Sequence, residues 1–123
     1  ESMKISNPTA IRGEDLATKF LKDKGYKIIE RNFRRGYGEI DIIAIQGRTL
    51  VFIEVKTRTG NLYGSPLEQI SYFKLKSLIK TAQFYKLLNP KLSDALRIDA
   101  IAVILDYSNN PVNIEHVENI TEF

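Results

Sequence analysis

Near the middle of the chain, two carboxylates and one amine have the types and spacing that suit metal-assisted hydrolysis. Twelve residues separate Asp41 from Glu54, and Lys56 follows two residues after Glu54. Carboxylate oxygens are the ligands that hard ions such as Mg²⁺ and Mn²⁺ prefer, and Mg²⁺ keeps several waters beside one or two carboxylates. A lysine next to the ion can orient or deprotonate a water, or stabilise charge on a phosphate. We therefore predict a site at these three residues that uses Mg²⁺ or Mn²⁺.

A predicted β-hairpin brings the two acids together. Residues 39–46 and 49–57 are rich in Ile, Val and Phe, and Gly47-Arg48 between them suits a two-residue type II′ turn. In that register Asp41 faces Glu54. Opposed residues have Cβ atoms roughly 4.5–5.5 Å apart, so two carboxylates there need a shared proton or a cation between them. The same register gives these further pairs: Gln46 with Thr49, Ile45 with Leu50, Ile43 with Phe52, and Glu39 with Lys56.

Strand alternation divides this hairpin into two faces. The charged residues of one face are Glu39, Asp41, Glu54, Lys56 and Arg58. The other face is apolar and comprises Ile40, Ile42, Ala44, Val51, Ile53 and Val55. Because burying carboxylates is costly, an acidic cluster at the rim of a buried face suggests a use. A slip of one residue in the register would move every side chain to the opposite face.

Each candidate also has a structural interpretation. Glu54-Val55-Lys56 on an exposed strand is often only a solvated ion pair. Glu14 lies on a predicted helix, at the edge of its core-facing stripe, and is a candidate third carboxylate that binds the metal directly or through water. A Glu near a helix N-terminus can instead be favoured by the helix dipole. Arg97 and Asp99 share one face of a strand and are predicted to form a structural ion pair.

The elements that must position these residues follow from periodicity and breakers. Helices are predicted over residues 9–24 and 66–88, and strands over 26–34, 39–46, 49–57, 96–105 and 112–117. The order α-β-β-β-α-β-β predicts an α/β fold, in which a mixed five-stranded sheet is flanked by helices. We expect a single domain over residues 4–123. Residues 1–3 are interpreted as an expression remnant and a start methionine.

Composition excludes several other classes of site. The 123 residues include no cysteine, so disulfides, thiolate metal sites and cysteine nucleophiles are absent, and His116 is the only histidine. No apolar run approaches the roughly 18 residues that span a bilayer, so no membrane association is expected, and a cytoplasmic location is predicted. The net charge of +3 is compatible with a polyanionic partner.

The motifs together resemble known nucleases. Gly38-Glu39-Ile40-Asp41 followed by Glu54-Val55-Lys56 resembles the PD-(D/E)xK signature of restriction-endonuclease-like enzymes, although Ile40 stands where strict members have proline. Gly13-Glu14 is similar to the helical acid of archaeal Holliday-junction resolvases. From Arg12 to about Val117 the chain resembles the uncharacterised YraN-like bacterial family. Further segments that match this family are Gly25-Tyr26, Arg31-Asn32, Gly64-Ser65-Pro66, Lys74 and Arg97-Ile98-Asp99.

The resemblance implies a restriction-endonuclease-like core with nuclease chemistry, and Glu14, Asp41, Glu54 and Lys56 match the nuclease pattern. Candidate nucleic-acid-binding residues are Arg34, Arg35, Arg58, Lys74 and Gln69. Lys76 and Lys80 are interpreted as a solvated helix face. Tyr37 and Tyr63 are loop aromatics that could stack on unpaired bases.

Three functions remain open from the sequence. The first is a metal-dependent endonuclease that hydrolyses DNA phosphodiesters on branched or single-stranded substrates. The second is a non-catalytic nucleic-acid-binding module of the same fold, and the third is a protein-interaction domain that uses the sheet edge. The opposed acids Asp41 and Glu54, together with Lys56, favour the first function. A face that only binds phosphate has no reason to retain opposed acids. A junction-cleaving enzyme needs two sites, which would suit a homodimer.

Overall fold

A computed structural model describes residues 7–36, 38–60, 67 and 70–121. Within these ranges the elements run in the order α1 (Pro8–Asp23), β1 (Lys27–Arg35), β2 (Gly38–Gln46), β3 (Thr49–Thr59), α2 (Tyr72–Leu88), β4 (Ala95–Leu105) and β5 (Pro111–Val117). The predicted order α-β-β-β-α-β-β is confirmed. Neither helix is long and apolar enough to cross a membrane within this part of the chain.

The five strands form one mixed sheet in the order β1-β2-β3-β4-β5. Only the β3–β4 pair is parallel. Parallel neighbours need a crossover connection, and α2 lies in the segment that joins them. The mixed sheet with its two helices agrees with a restriction-endonuclease-like core.

The two helices pack on opposite faces of the sheet and bury separate hydrophobic cores. The α1-side core contains Ala17, Leu21, Ile42, Ala44, Val51, Ile53, Val55, Ile101, Val103 and Leu105. The α2-side core contains Ile40, Ile43, Leu50, Phe52, Leu78, Ala82, Tyr85 and Ile98. From Ile42 to Ala44 on β2 and from Leu50 to Ile53 on β3, consecutive residues alternate between these cores because strand side chains alternate between faces.

Polar side chains cap both helices. Asn7 accepts hydrogen bonds from the backbone N–H groups of Thr9 and Ala10 at 3.0 and 3.3 Å, and Pro8 occupies the first turn. Ser71 accepts one from Lys74 N at 3.0 Å, so α2 begins at Tyr72. The predicted start at residue 66 is therefore wrong, because Ser71 is the N-cap of this helix.

The predicted hairpin register is confirmed from Gln46–Thr49 to Ile42–Ile53. Gly47 has φ +58°, as the first central residue of a type II′ turn requires. The register ends one pair before Asp41 and Glu54, so the predicted cross-strand pairing of these acids is wrong.

In both β1 and β2, the regular alternation of side chains between the two faces of the sheet is interrupted at the level of Asp41. On β2, Ile42 packs in the α1-side core whereas Ile40 packs in the α2-side core, so the predicted common face for these two residues is also wrong. On β1, Asn32 has φ +55°, a left-handed conformation that asparagine tolerates better than most residues. Arg31 forms an ion pair with Asp15 of α1, whereas the Phe33 ring packs against Tyr85 of α2, with ring centroids 4.9 Å apart. Strict alternation cannot anticipate this reversal.

Candidate active site

Most of the predicted catalytic residues surround one pocket of about 300 Å³, beyond the end of the β2–β3 register. Its described lining residues are Asn7, Thr9, Ala10, Glu14, Glu39, Glu54, Val55, Lys56, Thr57 and Lys74. The structure thus brings Glu14 of α1, Glu54 and Lys56 of β3, and Lys74 of α2 together as predicted. It adds Glu39, which the sequence analysis placed on the charged face but not in the site.

Asp41 is fully buried and contacts the pocket wall through Val55. Its Oδ2 accepts a hydrogen bond of 2.7 Å from the backbone N–H of Val55. This bond satisfies a strand N–H where the β2–β3 ladder has opened, so Asp41 has a structural role in addition to any metal binding. Replacement by asparagine preserves an oxygen acceptor for Val55, whereas replacement by alanine removes it.

Glu54 lies between two lysines. Its Oε2 is 3.7 Å from Lys56 Nζ and 3.6 Å from Lys74 Nζ, distances of ion pairs rather than direct hydrogen bonds. The Glu54 side chain is 3% exposed, whereas the lysine side chains are 31% and 37% exposed. A buried carboxylate that contacts two partly exposed lysines differs from the solvated surface pair considered above.

Glu14 lies in the second turn of α1, and its side chain is buried at the pocket. Because the helix-dipole effect fades within the first turn, that interpretation does not account for its position. Arg31 Nη2 lies 3.7 Å from Glu14 Oε1 and 3.0 Å from Asp15 Oδ1, so Arg31 is a charged neighbour of the pocket. The Arg31-Asn32 motif was the sequence signal for this residue, which pairs with Ile42 of β2 and lies on the α1 side of the sheet.

Gly13 allows α1 to approach β3 closely enough to place Glu14 at the pocket. A Cβ at Gly13 would lie 1.9 Å from Thr57 Oγ1, far inside van der Waals contact. We expect Gly13→Ala to destabilise the fold by about 1–3 kcal/mol despite the better helix propensity of alanine. Urea unfolding would measure the loss. A second substitution, Thr57→Ala, should restore part of it, and no recovery in the double variant would contradict this steric cause.

The carboxylates at this site suit a hard divalent ion held by two of them better than one held by all three. Among the described residues, no group of three or more Asp, Glu, His or Cys side chains is arranged to hold a metal ion. Mg²⁺ usually binds one or two carboxylates and retains waters, so Asp41 and Glu54 are sufficient in kind and number. Whether Glu14 contacts the ion directly or through water stays a prediction.

Comparison with known proteins identifies the family. The family model described as "Uncharacterised protein family UPF0102" matches residues 13–103. The chain belongs to UPF0102. The matched residues include Glu14, Asp41, Glu54, Lys56 and Lys74, and the predicted family resemblance is confirmed.

Curated relatives carry the same family designation. A UPF0102 protein of Thermotoga petrophila is 49% identical over 107 residues, which cover 87% of this chain and 91% of the relative. A second, from Persephonella marina, is 44% identical and covers 87% of both chains. A third, from Clostridium botulinum strain 657, is 46% identical over 87% of this chain and 88% of the relative.

The predicted nucleic-acid-binding residues of this UPF0102 chain are distributed over several places. Lys74 lines the pocket, and Arg34 Nε lies 3.9 Å from Glu39 Oε2. Arg35 lies over the Phe84 ring in a separate cleft against α2. The remaining predictions fall elsewhere: Arg58 pairs with Ile104 of β4 beyond the pocket lining, and Gln69, Tyr37 and Tyr63 lie outside the described residues.

A second charged cluster of the UPF0102 fold is buried away from the pocket, around Asp99. Arg97 donates two hydrogen bonds of 2.9 Å to the Asp99 carboxylate, which confirms the predicted ion pair. His116 Nε2 lies 2.9 Å from Asp99 Oδ2, and His116 Nδ1 lies 2.8 Å from Lys24 Nζ. Because the lysine ammonium has only donors, Nδ1 accepts and Nε2 donates to Asp99. The contacts of His116 with Asp99 and Lys24 were not predicted, because His116 and Lys24 are 92 residues apart in the chain.

Acid should remove the contribution of Asp99 to stability. Burial alone would raise the pKa of the Asp99 carboxyl, but hydrogen bonds from His116, Arg97 and the Asn119 backbone lower that pKa below its usual value. A lowered folded-state pKa contributes stability in full above the unfolded pKa of about 3.9, and this contribution is lost as the pH falls through the folded value. The melting-temperature gap between wild type and Asp99→Asn should therefore shrink below about pH 4 in calorimetry. A gap that widens there would contradict this assignment.

Proposed function

We propose that this protein is a metal-dependent endonuclease that hydrolyses phosphodiester bonds in DNA, on branched or single-stranded substrates. The observation that carries the proposal is the buried Glu54 between Lys56 and Lys74 in a pocket that also contains Glu14. A pocket that only bound phosphate would gain nothing from buried carboxylates, since they repel the ligand. The combination suits a site that holds a cation beside an anionic substrate.

Asp41 and Glu54 are the residues that would hold Mg²⁺ or Mn²⁺, and Glu14 would contribute a third carboxylate directly or through water. When bound, such an ion neutralises charge on the phosphate and eases deprotonation of the attacking water. The bond from Val55 N–H fixes the Asp41 carboxylate and thereby orients it before the ion arrives. Positioned ligands of this kind lower the reorganisation that catalysis requires.

Lys56 and Lys74 have different roles in this proposal. Lys56 is the residue that orients the attacking water or stabilises the charge that develops on the phosphate. Lys74 reaches the pocket from α2 and is placed to contact a neighbouring phosphate of the strand. Arg31 and Arg34 carry further positive charge beside the pocket, where they form ion pairs with Glu14, Asp15 and Glu39.

The partner is therefore proposed to be DNA, and a homodimer is proposed for substrates that need two cuts. The predicted cytoplasmic location stays a prediction. A non-catalytic binding module would retain salt-dependent DNA binding in Asp41→Asn and would show no cleavage in the wild type.

Calorimetric titration with Mn²⁺, followed by cleavage assays on branched, flapped and single-stranded DNA, tests the proposal. We expect wild-type protein to bind Mn²⁺ and to cut at least one substrate, and Glu54→Gln to lose both properties while its circular dichroism is unchanged. Exposed Glu115→Gln on β5 is the matched control and should behave as wild type. Wild-type protein that binds no Mn²⁺ and cuts none of these substrates would refute the proposal.

A further inference from the structure

A second cleft, of about 290 Å³, lies between α2 and the turn that joins β1 to β2. We call it the α2 cleft, and its described lining residues are Arg35, Gly36, Gly38, Ser77, Lys80, Thr81 and Phe84. A Cβ at Gly38 would lie 1.7 Å from Thr81 Oγ1, so the strand backbone and the helix touch at its base. The volume is near the lower end of small-ligand pockets, roughly 300–1,000 Å³, and suits a single planar group.

The helix beside this cleft has an unusually one-sided charge. α2 carries four lysines and no acidic residue over its 17 positions. Lys86 is ion-paired with Asp94 and donates to two backbone carbonyls, and Lys74 is ion-paired with Glu54. Among the described residues, Lys76 and Lys80 are therefore the lysines of α2 without an acidic partner. Lys76, Lys80 and Phe84 follow one another at four-residue spacing and therefore lie on one face of the helix. A surface of this charge is complementary to a polyanion.

Aromatic rings alternate with these cations. The Arg35 guanidinium lies 5.2 Å from the Phe84 ring centroid, and Lys76 Nζ lies 5.2 Å from that of Tyr72. Tyr72, Phe73 and Phe84 are 60%, 81% and 37% exposed. Exposed rings interleaved with cations characterise surfaces that bind single strands, where bases stack on rings and on arginine planes while cations contact phosphates.

The α2 cleft and the candidate active site are lined by residues of the same two elements, β2 and α2. Gly38 lines the cleft and the next residue, Glu39, lines the pocket. On α2, Lys74 lines the pocket, and Phe84 lies ten residues further along, which is about 15 Å at the helical rise of 1.5 Å per residue. A single strand would need several nucleotides to span that distance.

We infer that the α2 cleft binds an unpaired DNA strand next to the site of cleavage, with a base stacked on Phe84 or Arg35 and phosphates on Lys80 and Lys76. The choice of DNA rests on the proposed function. A protein partner is disfavoured by the four lysines of α2, since lysine is depleted in protein–protein interfaces. The substrate is then a DNA with a single-stranded segment, and not a fully paired duplex.

Fluorescence anisotropy with labelled oligo(dT) in EDTA tests this inference without any need for cleavage. We expect Phe84→Ala to weaken binding by roughly 5- to 150-fold, the usual value of one base–aromatic stack. Lys80→Gln should reduce the slope of log affinity against log salt by about 0.7, the contribution of one phosphate contact on a single strand. Leu87→Ala is the matched control because Leu87 is 76% exposed on the same helix but does not line the cleft.

The outcomes separate this inference from the proposed function. Weaker oligo(dT) binding in Phe84→Ala, with Leu87→Ala unchanged, supports the cleft even if no metal-dependent cleavage is found. Wild-type affinity in Phe84→Ala overturns it, even if the protein cuts DNA. Equal losses in Phe84→Ala and Leu87→Ala, stronger binding of duplex than of oligo(dT), or stronger binding of oligo(U) would each overturn it as well. Circular dichroism melts of the variants establish that they are folded.

Discussion

Lys56→Ala should lower the single-turnover rate of DNA cleavage by about 10²–10⁴, the usual contribution of a group that transfers or positions a proton. The same substitution should leave Mn²⁺ affinity unchanged or raise it, because it removes a positive charge 3.7 Å from Glu54 Oε2. If Lys56→Ala loses cleavage rate but keeps its Mn²⁺ affinity, Lys56 acts in the chemical step and is not needed to form the metal site. Single-turnover kinetics together with Mn²⁺ titration measure the two quantities.

Lys74→Ala is the matched control, because Lys74 Nζ lies 3.6 Å from the same Glu54 oxygen. It should also leave Mn²⁺ affinity unchanged or higher, but its main effect should be weaker DNA binding in EDTA. An equal loss of rate in both variants at saturating DNA would contradict the distinct role given to Lys56. Loss of Mn²⁺ binding in Lys56→Ala would show that the lysine supports the site instead.

Asp99→Ala should cost about 3–5 kcal/mol of unfolding free energy, because it leaves Arg97 and His116 without the buried carboxylate that binds both. Typical domains have only 5–15 kcal/mol, so this is the largest stability effect that we expect from one side chain. Urea unfolding at neutral pH would measure it.

Two further variants make the Asp99 result specific. Asp23→Ala removes an exposed carboxylate paired with Lys19 at 3.0 Å and should change stability by less than about 1 kcal/mol. Asp99→Asn keeps the shape and one oxygen acceptor, so it should fall between wild type and the alanine variant. A cost for Asp99→Ala no larger than that for Asp23→Ala would show that the buried cluster does not stabilise the fold.

The local signals in the sequence were sufficient for the architecture and for much of the site. Gly47-Arg48 determined the hairpin turn and hence the register near it, because a two-residue loop allows few pairings. The spacing of Glu54 and Lys56 and the position of Glu14 on α1 predicted their meeting in one pocket.

What the sequence could not give are features that depend on contacts between distant segments. The register predicted for Asp41 assumed that the ladder continued, but its carboxylate replaces a ladder partner of Val55. The left-handed Asn32 reverses β1 without a glycine to signal it. The bridge from Lys24 through His116 to Asp99 joins three elements that only the folded sheet brings together.

The reversal at Asn32 and Asp41 has a consequence for how this protein tolerates change. Because side-chain alternation is interrupted there, Ile42 packs in the α1-side core and Ile40 in the α2-side core, on either side of Asp41. Glu14 belongs to α1 and Lys74 to α2, on opposite faces of the sheet, so the sum of the two layer thicknesses sets their separation. Core substitutions far from the pocket should therefore show epistasis: a change that thickens one layer should be compensated by a change that thins the other.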